Sequence, residues 1–340
     1  GGVQKSFFAY FNYLLKKGDY HHSIYSMHEL RENFAKLKNY HFNLKKSFLN
    51  KFKFIYFLLS KNYIVHFYNN LGSSSVNKLL NLIPSRNIIF HERGSAWNFK
   101  GSNLSFYKKN ASKAKIIIAN SNASKSMLIN RFHIAPSKIK VVHNGFFSEH
   151  SNFVKQDITR YSKKLSIGFI SRLEPFKGAH SLVNSAKMMP EYDFFIAGKG
   201  IMEEKLKILG KNYKNINFLG IAREPLEFIS KMDIIIVPSI REPLGNVIIE
   251  SGYCKKPVIA SNVDGIPEII QDNNSGILIE PDQELSINEL TESSSLIPEF
   301  TINPKTQLLQ KPKELDPKKI CKAIKYLALN KDIRNFYGNN

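Results

Sequence analysis

The chain has 340 residues, of which 43% are hydrophobic and 23% are charged, a composition that excludes a disordered or fibrous protein. This length exceeds what one α/β core usually covers, so two domains are expected. The net charge is +21, and residues 1–150 contain 23 Lys and Arg against only 5 Asp and Glu. The N-terminal half therefore favours an anionic partner, such as a lipid headgroup, a nucleic acid or an acidic substrate.

Cysteine spacing and hydropathy argue against three further classes of protein: disulfide-rich, zinc-stabilised and membrane-spanning. Cys254 and Cys321 are the only cysteines, and neither has Cys or His nearby at metal-ligand spacing, so the sequence supports no disulfide framework and no structural zinc site. The segment nearest to a membrane span, residues 52–68, is interrupted by Lys53, Lys61 and other polar residues. We expect a protein of a reducing compartment without a transmembrane helix.

The N-terminal half alternates between helical and strand patterns. A helical pattern over residues 3–17 follows Gly1 and Gly2, and because a glycine pair of this kind normally follows a strand, we expect natural residues before Gly1. Alternation of this kind predicts a parallel sheet. The strand-like runs are residues 23–27, 63–68, 87–91, 115–119 and 139–143.

A second strand–helix series begins after the polar residues 147–163, where we place the linker between domains 1–150 and 151–340. Residues 283–315 interrupt the series and are interpreted as an insertion, after which a helix is predicted from Asp316. Ligands of such sheets bind in the crevice beyond the carboxyl ends of the strands. The strand-like runs are residues 165–170, 193–197, 216–219, 233–237, 257–260 and 276–279.

The segment after the run 233–237 contains the most specific pattern. Glu242 and Glu250 lie on either side of a Pro-Gly turn, and the apolar residues 247–249 begin a buried helix. A carboxylate in the loop at Glu242 could accept hydrogen bonds from sugar hydroxyls, and Glu250, about two turns along the helix, could hold a ribose diol. Backbone N–H groups at the start of the helix would bind an anion or a hydroxyl. These N–H groups belong to Leu244, Gly245, Asn246 and Val247.

Residues 241–250 resemble the E-x7-E motif of retaining glycosyltransferases of family four, or glycosyl transferases group 1. The resemblance implies an α/β protein with the GT-B fold, in which two Rossmann-like domains face each other across a donor and acceptor cleft. The N-terminal domain would bind the acceptor, and the C-terminal domain would bind a nucleotide sugar. Further segments similar to family segments are residues 142–145, 170–178, 196–200, 218–220 and 263–270.

The resemblance also implies roles for the charged residues. The matching Arg and Lys of the family bind the donor pyrophosphate, and here they are Arg172 and Lys177. Fixed cations at this place would stabilise the negative charge that builds on the leaving diphosphate as the glycosidic bond breaks. By the same resemblance, Glu242 would contact the donor sugar and Glu250 the ribose.

Several donor-binding candidates each have a second interpretation. Gly198 and Gly200 permit close backbone approach to the nucleotide, but a Gly-x-Gly pair is also an ordinary turn. Glu268 and Gly265 resemble a loop near the donor, and Glu268 could equally cap a helix. Gly2 matches the family's glycine loop, whose backbone approaches the donor phosphate and the acceptor.

His91 directly follows a predicted strand, so it should face the crevice. It matches a position where the family often has a His near the reacting sugar, and we expect it to orient the donor or the acceptor hydroxyl, with a structural His as the alternative. The predicted catalytic residues are thus His91, Arg172, Lys177 and Glu242. No obligate metal or other cofactor is expected, since no paired Asp motif or His cluster has metal-ligand spacing.

Residues 45–57 interleave lysines with phenylalanine, leucine and tyrosine. Such a stretch could lie on an anionic membrane surface, with its rings in the interface and its lysines at the headgroups. The alternative is a buried helix whose lysines extend to solvent. We expect a cytoplasmic protein that associates peripherally with the inner face of the plasma membrane.

The activity implied by these features is transfer of a hexosyl-type residue from a nucleotide sugar to a glycan or lipid-linked acceptor, with retention of configuration. Bacterial surface polysaccharide, such as lipopolysaccharide or capsule, is the expected product, and no nucleic-acid partner is expected. An epimerase-like enzyme on the same architecture would need acid–base residues near the reacting carbon. A catalytically silent binding protein for sugars or nucleic acid is the alternative from another class, and the intact donor motif argues against it.

Overall fold

A small N-terminal unit lies beside the first large sheet. Strand β2 of this unit was not predicted; it is three residues long and pairs in parallel with β1. Ser47 caps the following helix, because its side chain accepts the N–H of Asn50. The elements are α1 (Gly2–Lys17), β1 (Ile24–Ser26), a 3₁₀ segment (Glu32–Tyr40), β2 (His41–Asn43) and α2 (Phe48–Leu59). The structure, a computed structural model, describes residues 2–30, 32–83, 87–98, 104–146, 161–286 and 297–340.

The first large sheet is four-stranded and parallel, in the strand order β3-β4-β5-β6. Its apolar strand residues meet Trp97 and Tyr107, both of which are fully buried in the N-terminal core. The strands are β3 (Val65–Tyr68), β4 (Ile88–Glu92), β5 (Ile116–Ala119) and β6 (Ile139–Val141). The connecting helices are α3 (Ser74–Leu82), α4 (Leu104–Lys113) and α5 (Asn122–Phe132).

The second large sheet is six-stranded and parallel, in the order β12-β11-β10-β7-β8-β9. The order reverses between β7 and β10, and this switch point opens a crevice at the carboxyl ends of both strands. The strands are β7 (Ser166–Ile170), β8 (Asp193–Ala197), β9 (Ile216–Gly220), β10 (Ile234–Val237), β11 (Val258–Ser261) and β12 (Gly276–Ile279). The helices are α6 (Ala179–Lys187), α7 (Glu203–Gly210), α8 (Pro225–Ser230) and α9 (Asn246–Tyr253).

The predicted insertion contains a hairpin of β13 (Thr301–Ile302) and β14 (Leu309–Gln310), which lies against α5 of the other half of the chain. Ile302 is fully buried within the N-terminal core, where Phe300 and Leu309 also pack. After the hairpin, Asp316 caps helix α10 (Pro317–Leu329), which α11 (Lys331–Asn339) follows. The predicted insertion therefore includes an ordered hairpin, through which the C-terminal half contacts the N-terminal half.

Both large parallel sheets predicted from the alternating pattern are present, so the two Rossmann-like units of the predicted fold are confirmed. The prediction was wrong for residues 23–27, because β1 pairs with β2 instead of joining the four-stranded sheet. The predicted linker falls largely on residues 147–160, which lie outside the described residues, as do residues 287–296 of the insertion. The boundary between domains 1–150 and 151–340 remains a prediction.

Candidate active site

Two predicted catalytic residues meet at the switch point of the six-stranded sheet. Lys177 follows β7 and Glu242 follows β10, and Lys177 Nζ lies 2.5 Å from Glu242 Oε2. Ser239 Oγ donates to the same carboxylate oxygen over 3.2 Å. The Lys177 and Glu242 side chains are 15% and 13% exposed, so the pair is partly shielded from water while remaining accessible to a ligand.

Arg172 lies in the same crevice but is far more open to solvent. Its side chain is 67% exposed, and its guanidinium is 3.5 Å from the Glu174 carboxylate and 5.8 Å from the Phe176 ring centroid. Exposed ion pairs of this length contribute little, so the guanidinium can leave Glu174 for an incoming anion. The crevice thus offers one anchored cation and one adaptable cation.

The start of helix α9 lies next to this pair. Gly245 precedes the helix, and the amides of Asn246 and Val247 belong to its first turn, whose N–H groups have no partner within a helix. Glu250 lies one turn further along and is half-buried. The Leu244 side chain is buried, so only the backbone of this residue could contact a donor.

Gly198 and Gly200 shape the loop that presents Arg172. A Cβ atom on Gly198 would lie 1.8 Å from the Ser171 carbonyl oxygen, and one on Gly200 would lie 2.4 Å from that of Leu173. The two glycines therefore pack under the backbone on both sides of Arg172. Their predicted contact with the nucleotide stays a prediction.

His91 lies near the end of β4, where aromatic and histidine neighbours from β3 hold its ring. Its ring stacks on Tyr68 at 4.1 Å between centroids, and its Nε2 is 2.8 Å from Nδ1 of His66. Burial lowers the pKa of His91 to about 3, and the nearby His66 and Arg93 add to the effect. The imidazole is therefore neutral near pH 7 and suits hydrogen bonding rather than charge neutralisation.

Glu92, which the sequence analysis did not select, organises the loop after His91. It is fully buried and accepts the N–H groups of Gly94 and Ala96, each at 2.9 Å, and the Ser95 hydroxyl at 2.6 Å. Burial raises the pKa of this carboxyl, and these hydrogen bonds oppose the rise. Its position directly after a buried strand was the available sequence signal.

Within the described part of the chain, three contacts join the N-terminal domain to residues 241–246, and none was predicted. Arg241 donates to Asn98 Oδ1 at 2.7 Å, and Asn144 Nδ2 donates to Asn246 Oδ1 at 2.7 Å. Between them, Gly94 lies so close that a Cβ atom on it would be 2.6 Å from Cγ of Pro243. The loop that bears Glu242 is thus held against the opposite domain.

Glu268 has the helix-capping arrangement rather than a contact with Arg172 or Lys177. Its carboxylate accepts the N–H groups of Asn122 and Ala123, at 2.7 and 2.9 Å, at the start of α5 in the other domain. His143 Nε2 lies 2.7 Å from the same carboxylate. The capping interpretation is therefore seen in the structure, and the contact of Glu268 with a donor stays a prediction.

The remaining predictions concern Gly2 and metals. Gly2 begins helix α1, and Gly1 lies outside the described residues. Within the described ranges, no group of three or more His, Cys, Asp or Glu is placed to hold a metal ion, and no helix is long and apolar enough to cross a membrane. Cofactor use remains a prediction.

Comparison with known proteins agrees with this architecture. Residues 151–299 match the model of glycosyl transferases group 1. A Campylobacter jejuni protein, N-acetylgalactosamine-N,N'-diacetylbacillosaminyl-diphospho-undecaprenol 4-alpha-N-acetylgalactosaminyltransferase, is 28% identical over 63% of this chain and 60% of its own length. The Staphylococcus aureus capsular polysaccharide biosynthesis glycosyltransferase CapM is 24% identical over 54% of this chain and 46% of its own. The chain spans less than two thirds of the length of these curated relatives.

Two solved structures show the same fold. Anabaena HepE in complex with UDP-glucose has a TM-score of 0.68 at 18% identity, covering 93% of this chain and 84% of that one. A glycosyltransferase from Rickettsia africae has a TM-score of 0.72 at 21% identity, covering 99% and 88%. The resemblance inferred from the motifs is therefore confirmed: residues 151–299 match the glycosyl transferases of group 1, and the chain has the GT-B fold.

Proposed function

We propose that this protein transfers a hexosyl-type residue from a nucleotide sugar to a glycan or lipid-linked acceptor, with retention of configuration. The observation that supports this best is the Lys177–Glu242 pair at the switch point, where an ammonium for a diphosphate adjoins a carboxylate for sugar hydroxyls. The relatives named for undecaprenol-linked and capsular substrates suggest surface polysaccharide as the product.

The proposed donor would enter with its diphosphate between Arg172 and Lys177. The diphosphate would compete with Glu242 for the Lys177 ammonium, which frees the Glu242 carboxylate to accept hydrogen bonds from the sugar. Negative charge then grows on the leaving diphosphate, and the two cations stabilise it more strongly than in the ground state. With retention, the departing phosphate would accept the proton of the attacking acceptor hydroxyl on the same face. His91, neutral at the opposite wall, would orient that hydroxyl.

The first test is binding and turnover of UDP-, GDP- and ADP-sugars by the protein and by Glu242→Ala and Arg172→Ala variants. We expect one nucleotide class to bind, and each substitution to lower kcat/KM by about 100-fold. Glu204→Ala is the matched control, since it removes an exposed carboxylate that pairs with a lysine on α7. Absence of nucleotide-sugar binding by the folded protein would contradict the proposal and favour a silent binding protein. Interconversion of the donor sugar without transfer would favour the epimerase-like alternative.

Retention has a separate readout. Proton NMR of the product formed from an α-linked donor should show an α-linked sugar. A β-linked product would refute retention while leaving the donor site intact.

We also propose that helix α2 rests on an anionic membrane. Its inner side packs Phe54, Ile55 and fully buried Leu58 against the N-terminal core. Its outer side is apolar as well, with Phe48 76% exposed and Phe52 66% exposed. A helix apolar on both sides needs a second apolar environment. Exposed lysines surround the outer side, at positions 45, 46, 51 and 53.

Sedimentation with vesicles tests this surface. Binding to vesicles containing phosphatidylglycerol is expected at low salt, with release at high salt, and a Phe48→Ser, Phe52→Ser double variant should lose it. Phe336→Ser, which removes a half-exposed phenylalanine from α11, is the control. Equal sedimentation with neutral and anionic vesicles would count against an electrostatic membrane contact.

A further inference from the structure

A buried carboxylate, Asp264, connects the Glu242 loop with the β13–β14 hairpin. Its Oδ2 accepts the N–H of Glu242 at 2.9 Å, and its Oδ1 accepts the N–H of Ile302 at 2.6 Å. The backbone N–H of Asp264 donates to the Ile302 carbonyl at 3.1 Å. Asp264 is 1% exposed and has a left-handed backbone, with φ of 49°, a conformation that Asp and Asn tolerate better than most residues.

Both backbone polar groups of Glu242 are held by this segment. Asp264 accepts the Glu242 N–H, and the Glu242 carbonyl accepts the N–H of Gly265 at 3.1 Å. A Cβ atom on Gly265 would lie 2.1 Å from the Pro243 carbonyl oxygen, so the two loops are in direct backbone contact. Asp264 and Gly265 therefore fix the backbone of Glu242, and with it the direction in which the Glu242 side chain points.

The hairpin at the other end of this connection is docked on the N-terminal domain. Gln307 accepts the Ser126 hydroxyl through its side chain at 2.8 Å and the Asn130 side-chain amide through its backbone carbonyl at 2.7 Å. Ile302 is buried in the N-terminal core. An unbroken series of contacts therefore runs from α5 through the hairpin and Asp264 to Glu242.

We propose that Asp264 is a positioning residue for Glu242, through which docking of the hairpin on α5 sets the place of the carboxylate that meets the donor sugar. This inference rests on the proposed function. Arg172 and Lys177, which would bind the diphosphate, receive no hydrogen bond from Asp264 among the contacts that the structure describes. The sugar and the diphosphate should therefore respond differently to a change at Asp264.

The test compares affinities for UDP and UDP-glucose, or for the corresponding nucleotide pair if another class is bound, in the Asp264→Asn variant. Asn keeps the shape and tolerates the left-handed backbone, but its amide nitrogen faces one N–H that previously had an acceptor. We expect affinity for the nucleotide sugar to fall about tenfold, the scale of one such hydrogen bond. Affinity for the free nucleoside diphosphate should not fall, because a displaced Glu242 competes less for the Lys177 ammonium. A substitution that merely loosened the fold would lower both.

Two further variants keep the test decisive. Gln307→Ala, remote from the crevice, should give the same separation of sugar from diphosphate, and it replaces Asp264→Asn if that variant fails to fold. Asp282→Asn removes an exposed carboxylate paired with Lys319 and should change neither affinity. The inference is overturned if Glu242→Gln separates the two affinities while Asp264→Asn and Gln307→Ala do not. If the unaltered protein binds neither nucleotide, the proposed function itself has failed.

Discussion

The two halves of the molecule differ in charge and in how their cores are completed. Residues 1–150 have a net charge of +18 and the remaining residues +3. Among the residues that the structure describes, the apolar clusters of the six-stranded sheet contain residues of the C-terminal half alone. The core of the four-stranded sheet, in contrast, includes Ile302 from the C-terminal half. Among the described residues, the C-terminal core is thus complete within its own half, whereas the basic N-terminal half depends on the other half for packing.

The largest effect is expected from truncating Ile302, the residue of the C-terminal half that is fully buried in the N-terminal core. Ile302→Ala should lower the free energy of unfolding by about 2–5 kcal/mol, since it opens a cavity in a fully packed site. Hydrogen exchange should show greater loss of protection in β3–β6 than in β7–β12. Leu308→Ala, at an exposed position in the same hairpin, should change little. Uniform loss across both sheets would mean that the dependence is mutual.

Removing the Lys177 ammonium tests the diphosphate site proposed in the C-terminal half. Lys177→Ala should lower kcat/KM with the nucleotide sugar by about 100- to 1000-fold, roughly 3–4 kcal/mol, because one transition-state contact to the diphosphate is lost. Steady-state kinetics measure this, with Lys207→Ala on α7 as the control that removes an exposed, carboxylate-paired lysine. A loss below tenfold would assign the diphosphate to other groups.

A pH titration examines His91 in the N-terminal half. Because the folded pKa of His91 is about 3, below its ordinary value of 6.5, the unfolded chain binds the proton first. The contribution of His91 to stability is complete above pH 6.5 and falls as pH decreases toward 3, by about 1.4 kcal/mol at pH 5.5. Urea unfolding from pH 7 to 5 should therefore show a smaller decline in His91→Phe than in the unaltered protein. Parallel declines would show that His91 is not the group responsible.

The smallest effect is expected at the interdomain cap. Glu268→Gln keeps the shape but weakens acceptance from the start of α5, which should cost about 1 kcal/mol. Faster hydrogen exchange at Asn122 and Ala123 would report it. Glu280→Gln, at an exposed carboxylate beside Asn262, is the control. Unchanged exchange in both variants would show that Glu268 does not stabilise the start of α5.

Local patterns were sufficient to predict the strands of the two large sheets, because the periodicity of apolar residues that indicates a strand or a helix involves residues close together in the sequence. Every strand of the two large sheets falls within one residue of a predicted run, or inside it. Strand β2 and the hairpin were missed because their sequences are short and weakly apolar. Strand β2 is ordered by pairing with β1, and the hairpin by Ser126 and Asn130, which lie far away along the chain.

The candidate site shows the same division. Lys177 and Glu242 were found from motifs and lie in contact. Glu92 and Arg241 were not selected, because their importance comes from burial and from contacts across the cleft that spacing does not reveal. The segment around Asp264 was recognised, but its link to the hairpin depends on an insertion whose packing had no sequence signature.

The contact of Gly94 with Pro243 sets a limit on how the surface of the cleft can change. A methyl group at position 94 would overlap the proline ring, and the φ of 97° there already disfavours any side chain. Any larger residue at position 94 would push the loop that contains Gly94 away from the loop that contains Pro243. The two halves can approach this closely only because residue 94 has no side chain, so a single added methyl group would increase the separation of Gly94 and Pro243.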